Sequence, residues 1–162
     1  MIRKPLPCLL FAAVLAASAL PALAAEKLYQ REMTDQNLAG KEVKWKFEET
    51  KHGEFTSTAK LTVLSGIPSA KLTDLNAPPP ATQPPMLVQR AAYDMAVARK
   101  MDYFIKLAEK REEDGSYTFR FGFSNDPNAD PVAYYQLKEP LPKDDAYRFQ
   151  SVKQLEMLFK ER

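Results

Sequence analysis

Apolar and polar residues alternate along two neighbouring stretches of the chain. Val43, Trp45 and Phe47 are separated by Lys44, Lys46 and Glu48; Phe55, Ser57, Ala59, Leu61 and Val63 are separated by Thr56, Thr58, Lys60 and Thr62. Successive side chains of a strand point to opposite faces, so each stretch predicts a strand with one buried and one wetted face. Lys51-His52-Gly53-Glu54 stands between them as the turn of a β-hairpin. Lys27 to Met33, just upstream, has a weaker strand pattern. The two-residue period returns after residue 102. Tyr103, Ile105 and Leu107 oppose Phe104, Lys106 and Ala108; a turn follows at Glu112-Glu113-Asp114-Gly115; then Tyr117, Phe119, Phe121 and Phe123 alternate with Ser116, Thr118, Arg120 and Gly122. This predicts a second hairpin, and Val132 to Leu137 predicts one further strand.

Two segments have helical spacing instead. Leu87, Val88, Ala91, Ala92, Met95 and Ala98 recur at intervals of three and four within Met86 to Lys100. Pro85 stands where a helix tolerates proline. At the tail, Phe149, Val152, Leu155, Leu158 and Phe159 fall on one predicted face; Ser151 with Gln154 has capping-box spacing, and Asp144 or Asp145 offers the cap of an earlier start. Residues 65–85 hold Pro68, Pro78, Pro79, Pro80, Pro84 and Pro85, which excludes helix interior and central strand. The segment reads as a stiff crossover or, alternatively, as a polyproline II ligand for a partner. The order of elements predicts an α+β domain. Its antiparallel sheet has about five strands, two hairpins plus one, with two helices packed on one face.

The first two dozen residues fall outside that pattern. Arg3 and Lys4 precede the apolar run Leu6 to Leu20, and Ala22-Leu23-Ala24 offers the small-x-small motif of a cleavage site. The run is shorter than the ~20 residues of a membrane span. Residues 1–24 therefore read as a signal peptide, and 25–162 as a single mature domain. Removing Arg3 and Lys4 from 23 Lys+Arg leaves 21, against 21 Asp+Glu, so the mature chain is formally neutral. Neutrality gives it no global electrostatic reason to seek nucleic acid. The only cysteine, Cys8, leaves with the peptide, so core burial alone must hold the domain together. The alanine-rich leader points to a periplasmic or secreted bacterial protein.

Candidate chemistry is sparse. His52 is the only histidine and reads as a solvated turn residue; no G-x-S-x-G elbow accompanies it. Asp126, Asn128 and Asp130 have calcium-loop spacing, but Pro131 replaces the required glycine and Leu137 the required glutamate, so an Asx-rich turn is expected. Glu48 and Glu49 must face opposite ways on a strand, and Glu112, Glu113 and Asp114 form a solvated turn. The glycines include no phosphate-loop motif. The aromatic stripe from Tyr117 to Phe123 reads as core, with a partly exposed apolar ligand surface as the intermediate case. No catalytic, cofactor-binding or metal-binding residue is assigned, and no cofactor is expected.

Arg90-Ala91-Ala92, Asp102-Tyr103-Phe104-Ile105 and Asp145-Ala146, followed by Val152 and Leu155, resemble a family of small bacterial envelope lipoproteins of unknown function. In those proteins an R-A-A helix runs into a D-Y-F strand, and the chain ends in a helix beginning near D-A. The resemblance covers residues 86–162 at most and lacks a lipidated cysteine at the cleavage site. It implies an envelope location and transfers no site residue. The expected function is an exported, non-enzymatic binding or accessory protein whose partner is a protein or envelope component. Lys44, Lys46 and Glu48 on the wet sheet face, then the loop prolines Pro78, Pro79, Pro80, Pro84 and Pro85, are the candidate contacts. A secreted inhibitor acting through the proline-rich loop is the first alternative, and a periplasmic hydrolase with scattered acids the second.

Overall fold

The computed structural model describes residues 28–36, 40–68, 71, 73–74 and 85–159. The leader and the prolines Pro78, Pro79, Pro80 and Pro84 lie outside them. The described chain forms one curled antiparallel sheet, a half-barrel, with two main helices on it. Its strands are β1 (Gln30–Gln36), β2 (Glu42–His52), β3 (Thr56–Ser65), β4 (Tyr103–Arg111), β5 (Tyr117–Ser124) and β6 (Gln150–Ser151), in the spatial order β1-β2-β3-β5-β4-β6. Helix α1 (Pro85–Ala98) carries the chain from β3 to β4, α2 (Pro131–Tyr134) is a single turn, and α3 (Val152–Phe159) closes the fold.

Both predicted hairpins form, and they join through β3 and β5, with Ala59 opposite Phe119 and Ser57 opposite Phe121. Trp45, Phe47, Leu61, Phe119, Phe121 and Phe123 line the concave face with almost no exposure. Ala91, Ala92 and Met95 of α1 and Phe159 of α3 cover them. Phe119 stacks with Phe47 at 6.0 Å and with Phe121 at 5.8 Å between centroids, and Phe47 meets Phe121 tilted at 6.3 Å. The aromatic stripe is therefore core, as its alternation predicts. The small side chains of α1 let the helix axis approach the sheet.

Four details differ from the sequence pattern. The first strand is shifted to Gln30–Gln36, where it pairs along β2. Val132 to Leu137 is not a strand. The Asp130 carboxylate accepts from Val132 N–H at 3.0 Å and Pro131 opens the turn, so a cap and a first-turn proline override the strand propensity of Val132, Tyr134 and Tyr135. Gln150 and Ser151 pair with β4 before α3 begins. Ser151 then caps α3, accepting from Gln154 N–H at 3.4 Å. Phe149 leaves the predicted helical face and joins the opposite side of the sheet, and Leu158 stays exposed.

The convex face is not uniformly wet either. Ile105, Leu107 and Tyr135 form a second apolar cluster there, with Leu137, Leu141 and Phe149 against it. Gly122 permits this cover: a methyl group at its position would lie 2.5 Å from the Tyr135 ring. The turn at Asp126–Asp130 is Asx-capped, with Asn128 N–H donating to Asp126 at 2.9 Å.

Candidate functional site

Two β-bulges decide which polar side chains enter the half-barrel. Residues three apart on a regular strand face opposite ways; one extra residue puts them on the same face. In β2 the register passes from Glu49↔Ala59 to Lys51↔Thr58 and His52↔Ser57. Thr50 is the extra residue, and its hydroxyl donates to Thr58 O at 3.1 Å. Glu49 already faces inward in register with Phe47, and the bulge brings His52 onto the same face. In β4 the register passes from Lys106↔Phe121 to Ala108↔Arg120 and Glu109↔Phe119. Leu107 is the extra residue there. Lys106 and Glu109 both face inward, and Ala108 moves to the outside, against the simple alternation.

The first inward group ties α1 to the sheet. Glu49 is 1% exposed and Arg99, just past α1, is 7% exposed. Arg99 Nη2 donates to the Glu49 carboxylate and to Ser57 Oγ at 2.5 Å, and it lies 2.5 Å from His52 Nδ1. Ser57 Oγ and Tyr29 N–H also donate to Glu49. The guanidinium stacks on Phe123 at 4.5 Å. Burial by itself raises the Glu49 carboxyl; the bonds from Ser57, Tyr29 and Arg99 outweigh it, and the pKa lies below the ordinary value. Tyr29 O–H donates onward to Asp94 at 2.9 Å, which also accepts from Arg31 and Arg90. Burial first, and Asp94 second, push the Tyr29 hydroxyl upward. His52 is thus no solvated turn residue, since its side chain is 17% exposed and sits between Arg99 and Glu49. The Ser57 hydroxyl donates directly to the carboxylate, whereas a serine triad places an imidazole between the two.

The second inward group borders an empty space. A cavity of about 400 Å³ lies between the first turns of α1, the inner faces of β4 and β5, and the segment entering β6. Val88, Ala92, Phe104, Phe119 and Phe121 supply apolar walls, and Gln89, Gln150, Lys106, Glu109 and Asp145 the polar rim. A 3-10 turn at Asp145–Tyr147, capped by Asp144 on Ala146 N–H at 2.9 Å, forms the outer wall. Lys106 Nζ lies 2.6 Å from Glu109 and 4.6 Å from the Tyr147 ring centre. Gln89 Nε2 donates to Gln150 Oε1 at 2.5 Å, linking α1 to β6. Ligand cavities commonly span ~300–1,000 Å³, with apolar walls and a few convergent polar groups, and this one has both attributes.

Of the residues singled out by sequence, Lys44, Lys46 and Glu48 share the outer face of β2. Lys46 pairs with Glu48 at 2.8 Å and Lys44 with Glu42 at 3.6 Å. They are far along the sheet from the cavity rim, which is built on β4 and β6. Pro85 opens α1. The alternation put Lys106 on the Phe104 face without marking it as a site residue, and it missed Glu109 because a bulge leaves no simple mark on an alternating pattern. It missed Gln89 and Gln150 because they lie 61 residues apart. Among the described residues no helix is long and apolar enough to cross a membrane, and no cluster of metal-binding side chains occurs. No family model matches the chain, and no curated protein or solved structure matches it.

Proposed function

We propose that this chain is an exported bacterial envelope protein that binds a small molecule with an apolar body and a polar end in the cavity between α1, β4–β5 and β6. The supporting observation is the cavity itself: about 400 Å³ of space over the edges of buried aromatic rings, with two polar pairs held at its rim. At ~30 Å³ per water-sized group, that space takes about a dozen non-hydrogen atoms. Export rests on the leader pattern of residues 1–24. The paired charges of Lys46 and Glu48 on β2 leave that face a weaker claim to a partner, because exposed pairs of this kind contribute little.

The test uses the mature chain and a dye that fluoresces in apolar surroundings. Binding is expected in the micromolar range, and Val88→Trp, which fills the cavity from the α1 side, should abolish it while the thermal melt stays cooperative. A dye that binds the filled variant as well as the parent, or that binds neither, overturns the reading.

A further inference from the structure

We infer that the cavity selects an uncharged amphiphile, one with a carboxamide or hydroxyl head, over an anion or a cation of the same shape. The inference rests on the ligand-binding reading above and deepens it. The selectivity comes from the closed state of the rim's charges. Lys106 and Glu109 are 18% and 25% exposed and lie 2.6 Å apart, so each has given up most of its water for the other. Tyr147 stacks on the Lys106 ammonium and holds it further. An anionic head at Lys106 would lie beside the Glu109 carboxylate 2.6 Å from the ammonium, and the repulsion between the two negative charges in this half-buried place offsets the attraction. A cationic head at Glu109 would lie beside the Lys106 ammonium and meet the same offset with the signs reversed. The remaining rim acid, Asp145, points away to Arg148 at 3.1 Å and is 87% exposed, so it offers an ion little desolvated attraction.

A neutral head meets a different surface. The bond between Gln89 and Gln150 uses one N–H of Gln89 and the carbonyl of Gln150. That bond leaves Gln89 Oε1 as an acceptor and Gln150 Nε2 as a donor among the groups of the rim. A carboxamide presents the complementary donor and acceptor, and a hydroxyl presents both on one atom. Neither disturbs the ion pair. The apolar lining, with half-buried Val88 at the α1 side and the edges of the buried Phe104, Phe119 and Phe121 beneath, then takes the aliphatic body.

Octanamide, octanoate and octylamine share one tail and differ in charge, and competition of each against the bound dye at neutral pH reads the preference directly. Octanamide is expected to compete at least about tenfold more tightly than either ion, as an unpaired buried charge would dictate. Glu109→Gln frees the Lys106 ammonium and should reverse the order in favour of octanoate; Lys106→Gln should favour octylamine. Melting curves of both variants establish that the fold persists. Octanoate or octylamine binding the parent as tightly as octanamide overturns the inference, as does displacement by none of the three while the dye stays bound. Failure of the dye to bind at all is a separate result, and it removes the ligand-binding reading itself.

Discussion

A carboxylate withdrawn from water stays ionised only where donors replace the water. Glu49 meets that condition with Ser57, Tyr29 N–H and Arg99 around it. The pair is held by mutual need, so the two single losses and the joint loss should differ sharply. Glu49→Gln strands the Arg99 guanidinium, and Arg99→Met strands the carboxylate; each is expected to cost about 3–5 kcal/mol in denaturant unfolding. Glu49→Gln with Arg99→Met removes both charges, keeps an acceptor for Ser57 and Tyr29 N–H, and should recover much of that loss. A double variant no more stable than the sum of the singles would contradict the pairing. Acid should expose the same group. Its folded pKa lies below the ordinary value of 4.5, so the stability it contributes is complete above that value and falls as pH drops through the folded pKa. A Glu49→Gln chain should lose part of that acid slope in unfolding measured from pH 6 down to about pH 2. The sequence showed that Glu49 lies opposite Glu48. It could not show that Glu49 faces inward to a guanidinium 50 residues away.

At the scale of elements, α1 ends by a definite device. Met101 N–H donates to Ala96 O and Lys100 N–H to Val97 O, both at 3.0 Å, with Lys100 at φ 57°. This is the paired-bond helix ending that glycine favours, because a side chain in the left-handed region crowds its own carbonyl. Lys100→Gly is therefore expected to stabilise the chain by about 0.5–1 kcal/mol, read as an upward shift in denaturant midpoint. A loss of stability would mean that the lysine charge at the helix end outweighs backbone strain. Helix α1 and both hairpins were legible from spacing alone, since 3.6- and 2-residue periods follow directly from where Cβ atoms point. The bulges at Thr50 and Leu107 were not legible, because each inserts one residue without altering composition. The two-residue β6 was hidden for another reason: it exists only by pairing with β4. The Asp130-Pro131 start of α2 was present in the sequence as cap and proline, yet Val132, Tyr134 and Tyr135 masked it with strand-like residues.

The whole molecule is a half-barrel whose helices do not fill it evenly. Toward β2 and β3 the inside is pinned by Glu49 and Arg99, with open hollows of about 540 and 380 Å³ beside His52 and Arg99; toward β4 and β6 lies the cavity of about 400 Å³ with the paired polar rim. A strand edge, a helix start and a short turn meet only there, so no contiguous motif could announce the site. Export belongs to this scale as well. Protein recovered from the periplasm of an expressing bacterium is expected to begin at Ala25 by N-terminal sequencing, and to carry no thiol that reacts with a maleimide. Recovery of the intact Met1 start in the cytosol would remove the envelope from the proposal. The sequence by itself determined the α+β class, both hairpins, α1 and the buried aromatic stripe, because periodicity is a local property of the chain and burial follows from it. Tertiary structure alone decided that His52 and Glu109 turn inward and where the cavity opens. Those outcomes depend on strand register and on contacts between residues far apart in the chain, which neighbouring residues do not encode.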